Sequence, residues 1–362
     1  MFDKVLKIFL LLSPIFVFKD YKVGMARGMF FIIGIFVLFA IGLISEQKRK
    51  LKIWHITAFL LLALVRVFFD GVPSQEWFNF WFSCGNFIYV FCGVLLFYLV
   101  VCYSGDAKQF LIPILAVSII NLIVTSFQLF DINLVWKHSY VINGMMESHS
   151  QLGQYSAMAL PLMFFVHPLL AVVPTVTLLL SKSVSPIFSC FLGLCFLSYS
   201  FKKWIVLALI ILVGMGLFLS NYHYVKAKFT CSRPQVWTDM VKEIFKRPFL
   251  GHGYSTFTEK VLKVKKNVMG RNETRRAHND YAHLALELGA PIVIIFCMFI
   301  YNIFKKFFFK KDKNRLTYCL SASVLIILIN MSGQTTLRYA SIAGTWIVLL
   351  ALLCVRLEGN YD

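Results

Sequence analysis

The stretch GAPIVIIFCMFIYNIFKKFFF, residues 289–309, decides the fold class of this chain. A helix rises about 1.5 Å per residue, so this apolar run is long enough to cross the roughly 30 Å hydrocarbon core of a bilayer. The basic cluster KKFFFKKDKNR at 305–315 is typical of the cytoplasmic end of such a helix. The stretch therefore predicts a membrane-spanning helix, and similar runs recur along the chain.

The composition of the whole chain agrees with this interpretation. The 362 residues are 59% hydrophobic and 15% charged, whereas soluble domains carry about 25% charged residues. The first apolar run, at about 5–18, is not followed by a small-residue cleavage site, and we expect a retained span rather than a signal peptide. The sequence predicts an all-α polytopic membrane protein.

We expect about twelve transmembrane helices, with both chain termini in the cytoplasm, because the short loops rich in Lys and Arg then fall on one side. Prolines interrupt the pattern between residues 151 and 200, where one span more or fewer also fits. The spans are expected at roughly 5–18, 24–45, 53–69, 78–102, 110–130, 151–167, 168–181, 185–200, 204–220, 289–309, 316–332 and 340–357.

This topology leaves one large hydrophilic loop outside the cytoplasm. It divides the chain into a transmembrane bundle of about nine spans at 1–220, a loop at 221–288 and about three C-terminal spans at 289–362. Residues 221–287 contain thirteen Lys or Arg against six Asp or Glu. Long loops translocate regardless of charge, so the basic excess suggests an anionic ligand. Within the loop, residues 234–248 predict an amphipathic helix at the membrane surface.

Several other kinds of site are not expected. The net charge of +19 lies largely beside apolar spans, which indicates anionic lipids rather than nucleic acid as the partner. The nine cysteines form no CxxC pair, which argues against disulfides and zinc. His278 and His283 are five residues apart, about 140° around a helix, whereas metal-binding pairs prefer a spacing of three or four. We expect neither a metal site nor a cofactor.

The segment RRAHNDYAHLALELG, residues 275–289, is unusually polar for its place before a span. We predict a helix at 279–288 with Asn279 or Asp280 as its cap. Three faces follow from the spacing: an apolar stripe, a polar stripe of interfacial charges, and a small-residue face aligned with His278. Their members are Tyr281, Leu284 and Leu288; Asp280, His283 and Glu287; and Ala282, Ala285 and Gly289.

His278 is the candidate general base. It precedes the predicted helix, where the positive end of the helix dipole and the neighbouring Arg275 and Arg276 favour a neutral imidazole and attract an anion. Lys182 and Arg233 are expected on the same side of the membrane, which adds to this anion site. The alternative is that Arg275, Arg276 and His278 are only interfacial charges that end a helix at the lipid headgroups.

Three ordered motifs resemble the O-antigen ligase family, which includes lipid A-core O-antigen ligases, O-antigen polymerases and bacterial protein O-oligosaccharyltransferases. They are GMMESHSQLGQYSAMALPL (144–162), SRPQVWTDMVKEIFKRPFLGHGYSTF (232–257) and HNDYAHLALELGAP (278–291). The second motif is similar to the family's pattern of Arg, Trp and Pro-x-x-Gly-x-Gly, and the third to its His-Asn followed by Glu-x-Gly.

The resemblance implies an enzyme of the bacterial inner membrane whose large loop is periplasmic. Such an enzyme transfers a glycan from an undecaprenyl diphosphate carrier to an acceptor hydroxyl, with inversion at the anomeric carbon and without a metal. His278 then corresponds to the catalytic base and Arg233 to a ligand of the diphosphate. Lys182 stands where the family usually has arginine, and it keeps the charge without the bidentate fork, so Arg275 or Arg276 would share the diphosphate.

The acceptor remains open among lipid A-core, another lipid-linked glycan, as for an O-antigen polymerase, and a Ser or Thr of a pilin-like protein. A transporter of lipid-linked sugars is the alternative from a different class. That function predicts ionisable groups in the middle of the membrane, whereas nearly all charge in this sequence lies at the ends of the apolar spans.

Overall fold

A computed structural model describes residues 1–15, 23–45, 87–132, 142–220, 233–254, 256–257, 261 and 277–358 of the chain. Within these ranges the protein is all-helical and contains no strand, which confirms the all-α part of the prediction. The span predicted at 53–69, the basic cluster at 46–52 and the candidate residues Arg275 and Arg276 lie outside the described residues.

The described helices follow the predicted spans closely at their boundaries. Single 3₁₀ turns at Ala107–Phe110 and Pro168–Ala171 lead into α4 and α6. The α-helices are α1 (Phe2–Ile15), α2 (Val23–Leu43), α3 (Phe87–Tyr103), α4 (Leu111–Leu129), α5 (His149–Val166), α6 (Val172–Leu180), α7 (Val184–Ser200), α8 (Trp204–Ser220), α9 (Arg233–Lys246), α10 (Asp280–Leu288), α11 (Ala290–Phe309), α12 (Arg315–Met331) and α13 (Ala340–Glu358).

Three described helices are both long enough and apolar enough to cross a membrane. They are Ala107–Leu129, Ala290–Phe309 and Ala340–Glu358. Shorter apolar helices of 10–17 residues occur at Arg27–Leu43, Tyr89–Tyr103, Pro168–Leu180, Val184–Ser200 and Arg315–Met331. The total of twelve spans and the placement of the large loop stay predictions.

The centre of the bundle is formed by α13, α12 and α5, whose side chains are buried over most of their length. Small residues permit this close packing. A Cβ at Gly344 of α13 would lie 3.0 Å from the ring of Phe31 on α2. Polar side chains inside the helices bond to the preceding turn, as Thr345 does to the carbonyl of Ser341 at 2.9 Å. Such local bonds let polar residues remain in an apolar interior.

The two ends of the bundle differ in their contacts. At one end, the Asp3 carboxylate accepts the backbone N–H of Gly105 at 3.0 Å, and Arg356 lies 3.7 Å from Asp106. Asp3 belongs to α1 and Arg356 to α13, and both contact the turn at residues 105–106. The beginning and the end of the described chain therefore lie together. The opposite end holds the start of α11 and of α13, about 30 Å away along each helix. The candidate site residues are found at that opposite end.

One glycine tests the packing of α7 on α12. A Cβ at Gly193 would lie 2.3 Å from Cγ1 of the fully buried Ile326. We therefore expect Gly193→Ala to lower the free energy of unfolding by about 1–3 kcal/mol, the usual cost of overpacking. Thermal unfolding in detergent measures this. Ile326→Ala in the Gly193→Ala background should cost less than Ile326→Ala alone, and strictly additive costs would contradict the contact.

Candidate functional site

Helix α10 begins as the sequence predicted. The side chain of Asn279 accepts the backbone N–H of Ala282 at 3.0 Å, which makes Asn279 the N-cap. The cap supplies one of the bonds that the first turn of a helix lacks, and such a cap is worth about 1 kcal/mol. The cap also fixes the point at which the chain leaves His278 and enters the helix.

His278 lies directly before this cap, in an unusual backbone conformation. Its φ is 51°, in the left-handed region that residues with a side chain adopt rarely. The predicted alignment of His278 with Ala282, Ala285 and Gly289 on one helical face is therefore wrong, because residue 278 is not helical. Its half-buried imidazole instead places Nδ1 at 3.1 Å from Oε1 of Gln334.

The polar stripe of α10 is buried rather than interfacial, which corrects the sequence interpretation. Asp280, His283 and Glu287 are 2%, 3% and 2% exposed. The Asp280 carboxylate accepts the backbone N–H groups of Thr336 at 2.6 Å and of Leu337 at 2.9 Å. The stripe therefore binds the segment 332–339, which connects α12 to α13 and which we call the α12–α13 loop.

Glu287 forms the second attachment to this loop. One carboxylate oxygen is paired with the guanidinium of Arg338, and the other lies 3.0 Å from Nε2 of His283. Burial alone would raise the pKa of Glu287, but Arg338 and His283 together outweigh it and hold the pKa below its ordinary value. The carboxylate is therefore ionised and held at both oxygens.

Two glycines explain the Pro-x-x-Gly-x-Gly and Glu-x-Gly motifs. Gly289 has a φ of 90°, and a Cβ there would lie 2.1 Å from the carbonyl oxygen of Phe249. Gly251 has a φ of 67°, and its Cβ would lie 2.5 Å from the Glu287 carbonyl. This close approach lets the backbone of His252 donate to Leu286 at 2.7 Å. The 248–253 segment is thus fastened to the end of α10.

The predicted amphipathic helix exists as α9, and its apolar face packs on α10. Val236 and Met240 are buried in a cluster with Phe257 and Leu286. The predicted apolar residue Phe245 is 76% exposed, so part of the stripe is left at the surface. The Trp237 indole N–H donates to the Ala277 carbonyl at 2.8 Å, directly before His278.

Arg233 is the first residue of α9, one helical turn before Trp237. The described contacts place Trp237 beside residue 277, and the helix therefore starts close to His278. The side chain of Arg233 itself lies outside what the structure describes.

Lys182 is exposed in the turn between α6 and α7, with a φ of 49°. That conformation is common in the residue that follows a helix. Three residues later, Ser185 donates to Asn330 at 3.3 Å at the end of α12. Because Asn330 leads into the α12–α13 loop, Lys182 lies at the same end of the bundle as His278 and Gln334.

An apolar groove of about 170 Å³ adjoins α10. Its walls come from α3, α11 and α13, and its polar end is formed by Tyr254, Asp280, His283, Glu287 and Arg338. Helix α11 is the least buried of the three long apolar helices, at 17%. The groove therefore lies at the surface of the bundle. It ends beside the α12–α13 loop, whose Gln334 contacts His278.

Gln334 and Arg338 are site residues that the sequence interpretation missed. Their signal was a polar run, GQTTLR at 333–338, in a short loop between two predicted spans on the side assigned to the candidate site. Among the side chains that the structure describes, no three His, Cys, Asp or Glu residues group as metal ligands would.

The buried Glu287 predicts a pH dependence of stability. Since its pKa is lower in the folded protein than the ordinary value of 4.5, its contribution is complete above that pH and is lost as the pH falls through the folded value. We expect Glu287→Gln to flatten the acid limb of unfolding free energy against pH, measured by denaturant titration in detergent. Glu358→Gln, at an exposed pair, is the control, and an equal change in both variants would contradict the assignment.

Comparison with known proteins identifies one family. The O-antigen ligase family model matches residues 169–297, which include Lys182, α9, His278 and α10. No individual curated protein matches the chain. Together with the apolar helices, the match indicates a bacterial membrane protein and a glycosyltransferase-like enzyme. The segment of residues 169–297, which contains the second and third motifs, belongs to the O-antigen ligase family, as those two motifs predicted.

Proposed function

We propose that this protein is an O-antigen ligase-type glycosyltransferase of the inner membrane, with twelve spans, cytoplasmic termini and a periplasmic catalytic loop. It moves a glycan from an undecaprenyl diphosphate carrier to an acceptor hydroxyl of lipid A-core. The observation that carries the proposal is the anchored imidazole of His278, in a segment that matches the family.

His278 is suited to the role of the base. Its Nδ1 is engaged by Gln334, so the ring has a defined orientation. The left-handed backbone of residue 278 costs on the order of 1–3 kcal/mol and is typical of functional positions held by their surroundings. A base that is already oriented loses little entropy when the substrate arrives.

The proposal assigns the departing diphosphate to basic residues from separate parts of the chain. Lys182 follows α6, Arg233 starts α9, and Arg275 and Arg276 precede His278 in sequence. Positive charges gathered near a base stabilise a departing diphosphate as negative charge develops on it. Several cations together offset the presence of Lys182 where the family usually has an arginine, because a lysine cannot form the two parallel hydrogen bonds of a guanidinium.

The groove beside α10 is a suitable place for the hydrocarbon part of the carrier. Its walls are apolar, including Phe97 of α3, Phe299 of α11 and Trp346 of α13. Its polar end lies under the α12–α13 loop, so a chain in the groove would direct its headgroup toward the bundle end that holds His278. An amphipathic donor fits this change from apolar to polar surface.

These assignments lead to the following proposed mechanism. Nε2 of His278 removes the proton of the acceptor hydroxyl while the oxygen attacks the anomeric carbon. The bond from that carbon to the diphosphate oxygen breaks, and the diphosphate leaves with the electron pair, held by Arg233 and Lys182. A single displacement inverts the anomeric configuration.

The charges inside the bundle favour an enzyme over a transporter. Among the described residues, the buried charged side chains are Arg27, Asp280, Glu287 and Arg356. Arg27 is in the first part of α2 and Arg356 in the last turn of α13. These positions are near helix ends, whereas a transport pathway needs ionisable groups at the middle of the membrane.

Complementation of a deletion strain tests the function. We expect the wild-type chain to restore polymer on lipid A-core and His278→Ala to fail, with lipid-linked polymer accumulating. The loss of a general base is worth about 10²–10⁴-fold in rate. His167→Ala is the matched control, because His167 is exposed at the other end of α5.

Surface glycan analysis separates the alternatives. Core carrying single repeat units in the deletion strain would indicate a polymerase, and an unglycosylated pilin-like protein would indicate a protein transferase. Full activity of His278→Ala at wild-type protein levels would remove His278 from the mechanism.

Arg233 is tested through donor affinity. A charge-assisted hydrogen bond is worth about 1.5–3 kcal/mol, so Arg233→Gln should raise the KM for the lipid diphosphate donor roughly ten- to a hundredfold. Initial rates in detergent, against donor concentration, measure this. Arg247→Gln removes an exposed arginine just past the other end of α9 and serves as the control. Equal effects of both variants would indicate a general charge effect instead of a diphosphate contact.

A further inference from the structure

The match to the O-antigen ligase family ends at residue 297, and the α12–α13 loop lies beyond it in the sequence. It nevertheless contacts the catalytic segment at three successive places. Gln334 reaches His278, the backbone of residues 336 and 337 reaches Asp280, and Arg338 reaches Glu287. The family motifs therefore do not account for how the imidazole is held.

The chemistry of the Gln334 contact determines the tautomer of the imidazole. Oε1 of an amide accepts hydrogen bonds and cannot donate them. A hydrogen bond from Nδ1 to Oε1 at 3.1 Å requires a proton on Nδ1, and in the neutral ring this leaves the lone pair on Nε2. The contact selects which nitrogen of His278 acts as the base and sets the plane of the ring.

Gln334 is itself held on both sides along the chain. On one side, Asn330 donates from Nδ2 to Ser189 at 3.0 Å, which ties the end of α12 to α7. On the other, the Asp280 carboxylate fixes the backbone two and three residues later. The side chain of Gln334 is only 8% exposed. A buried amide between two fixed points is a rigid partner for an imidazole.

We propose that Gln334 is a positioning residue that holds His278 in the Nδ1–H tautomer, with Nε2 directed at the acceptor hydroxyl. The inference rests on the proposed function, since it assigns a role in that reaction. During transfer, Nε2 gains the acceptor proton and Nδ1 keeps its own, still donated to Gln334. Because the amide is neutral, it orients the ring without the charge that a carboxylate partner would add.

Kinetics of three variants test the role. Gln334→Met keeps the size of the side chain and removes the acceptor, and we expect kcat to fall about 10–100-fold, the effect of removing hydrogen-bond partners that orient metal-binding histidines. The donor KM should change less than threefold. In the His278→Ala background, Gln334→Met should have no further effect, because the two residues act as a unit.

The pH dependence of kcat in Gln334→Glu distinguishes a positioning role from a purely structural role, which would leave the pH profile unchanged. A carboxylate at this position still accepts from Nδ1, but its charge favours the imidazolium and raises the pKa of His278 relative to the wild type. Activity should persist, with the acid limb of kcat against pH shifted upward by about one unit or more. The nearby Asp280 and the Glu287–Arg338 pair are unchanged in all variants, so the shift reports residue 334.

The tautomer is measured independently of activity. In protein labelled with ¹⁵N histidine, the signals of His278 are those absent from His278→Ala, and we expect a protonated Nδ1 that Gln334→Met disturbs. Ser332→Ala is the control, because Ser332 is an exposed residue of the same loop. Thermal unfolding of each variant distinguishes loss of fold from loss of orientation.

The outcomes separate the two proposals. An Nδ1–H tautomer that depends on Gln334, in a protein with no transferase activity, would remove the proposed function and the catalytic role together while leaving the contact. Active protein whose tautomer is unaffected by Gln334→Met, or Gln334 variants that lose activity equally with no change in pH profile, would overturn the positioning role alone.

Discussion

A buried carboxylate is costly unless its charge and both oxygens are compensated, and Glu287 meets this requirement through two different elements. Arg338 comes from the α12–α13 loop, and His283 from the preceding turn of α10. Removing either partner would leave one oxygen of a buried carboxylate without its partner. The short helix α10 is therefore tied to that loop, and the arrangement of the candidate site depends on the tie.

The first residues of α10 are attached to the same loop as Glu287. Asp280, at the start of the helix, binds the same loop through two backbone N–H groups. With both ends of the helix attached, the loop lies along α10 in one register. Gln334 is then placed beside His278. The left-handed backbone of His278 is tolerated because the N-cap after it and the amide beside it are both fixed.

The sequence predicted local features of this region well. The helix, its cap and the amphipathic α9 all follow from residue spacing and capping chemistry, which depend on neighbours within a few positions. The burial of Asp280 and Glu287 did not follow. A polar stripe has the same periodicity whether it faces water or a partner, and the partner Arg338 is 51 residues from Glu287 in the chain. The conformation of His278 was missed for a related reason, since helical periodicity was extended one residue beyond the cap.

The candidate site also shows why the family segment is not a self-sufficient unit. Residues 169–297 include the proposed base, His278, and the helices α6, α9 and α10. They do not include Gln334, which contacts His278, or Arg338, which pairs with the carboxylate of Glu287. Helices α11 and α12 must therefore return the chain to the same end of the bundle before the site is complete. A short loop is sufficient for this, because α12 and α13 pack in the centre of the bundle and fix the positions of both loop ends. The contacts that hold α10 and His278 in place thus come in part from the bundle, through the α12–α13 loop.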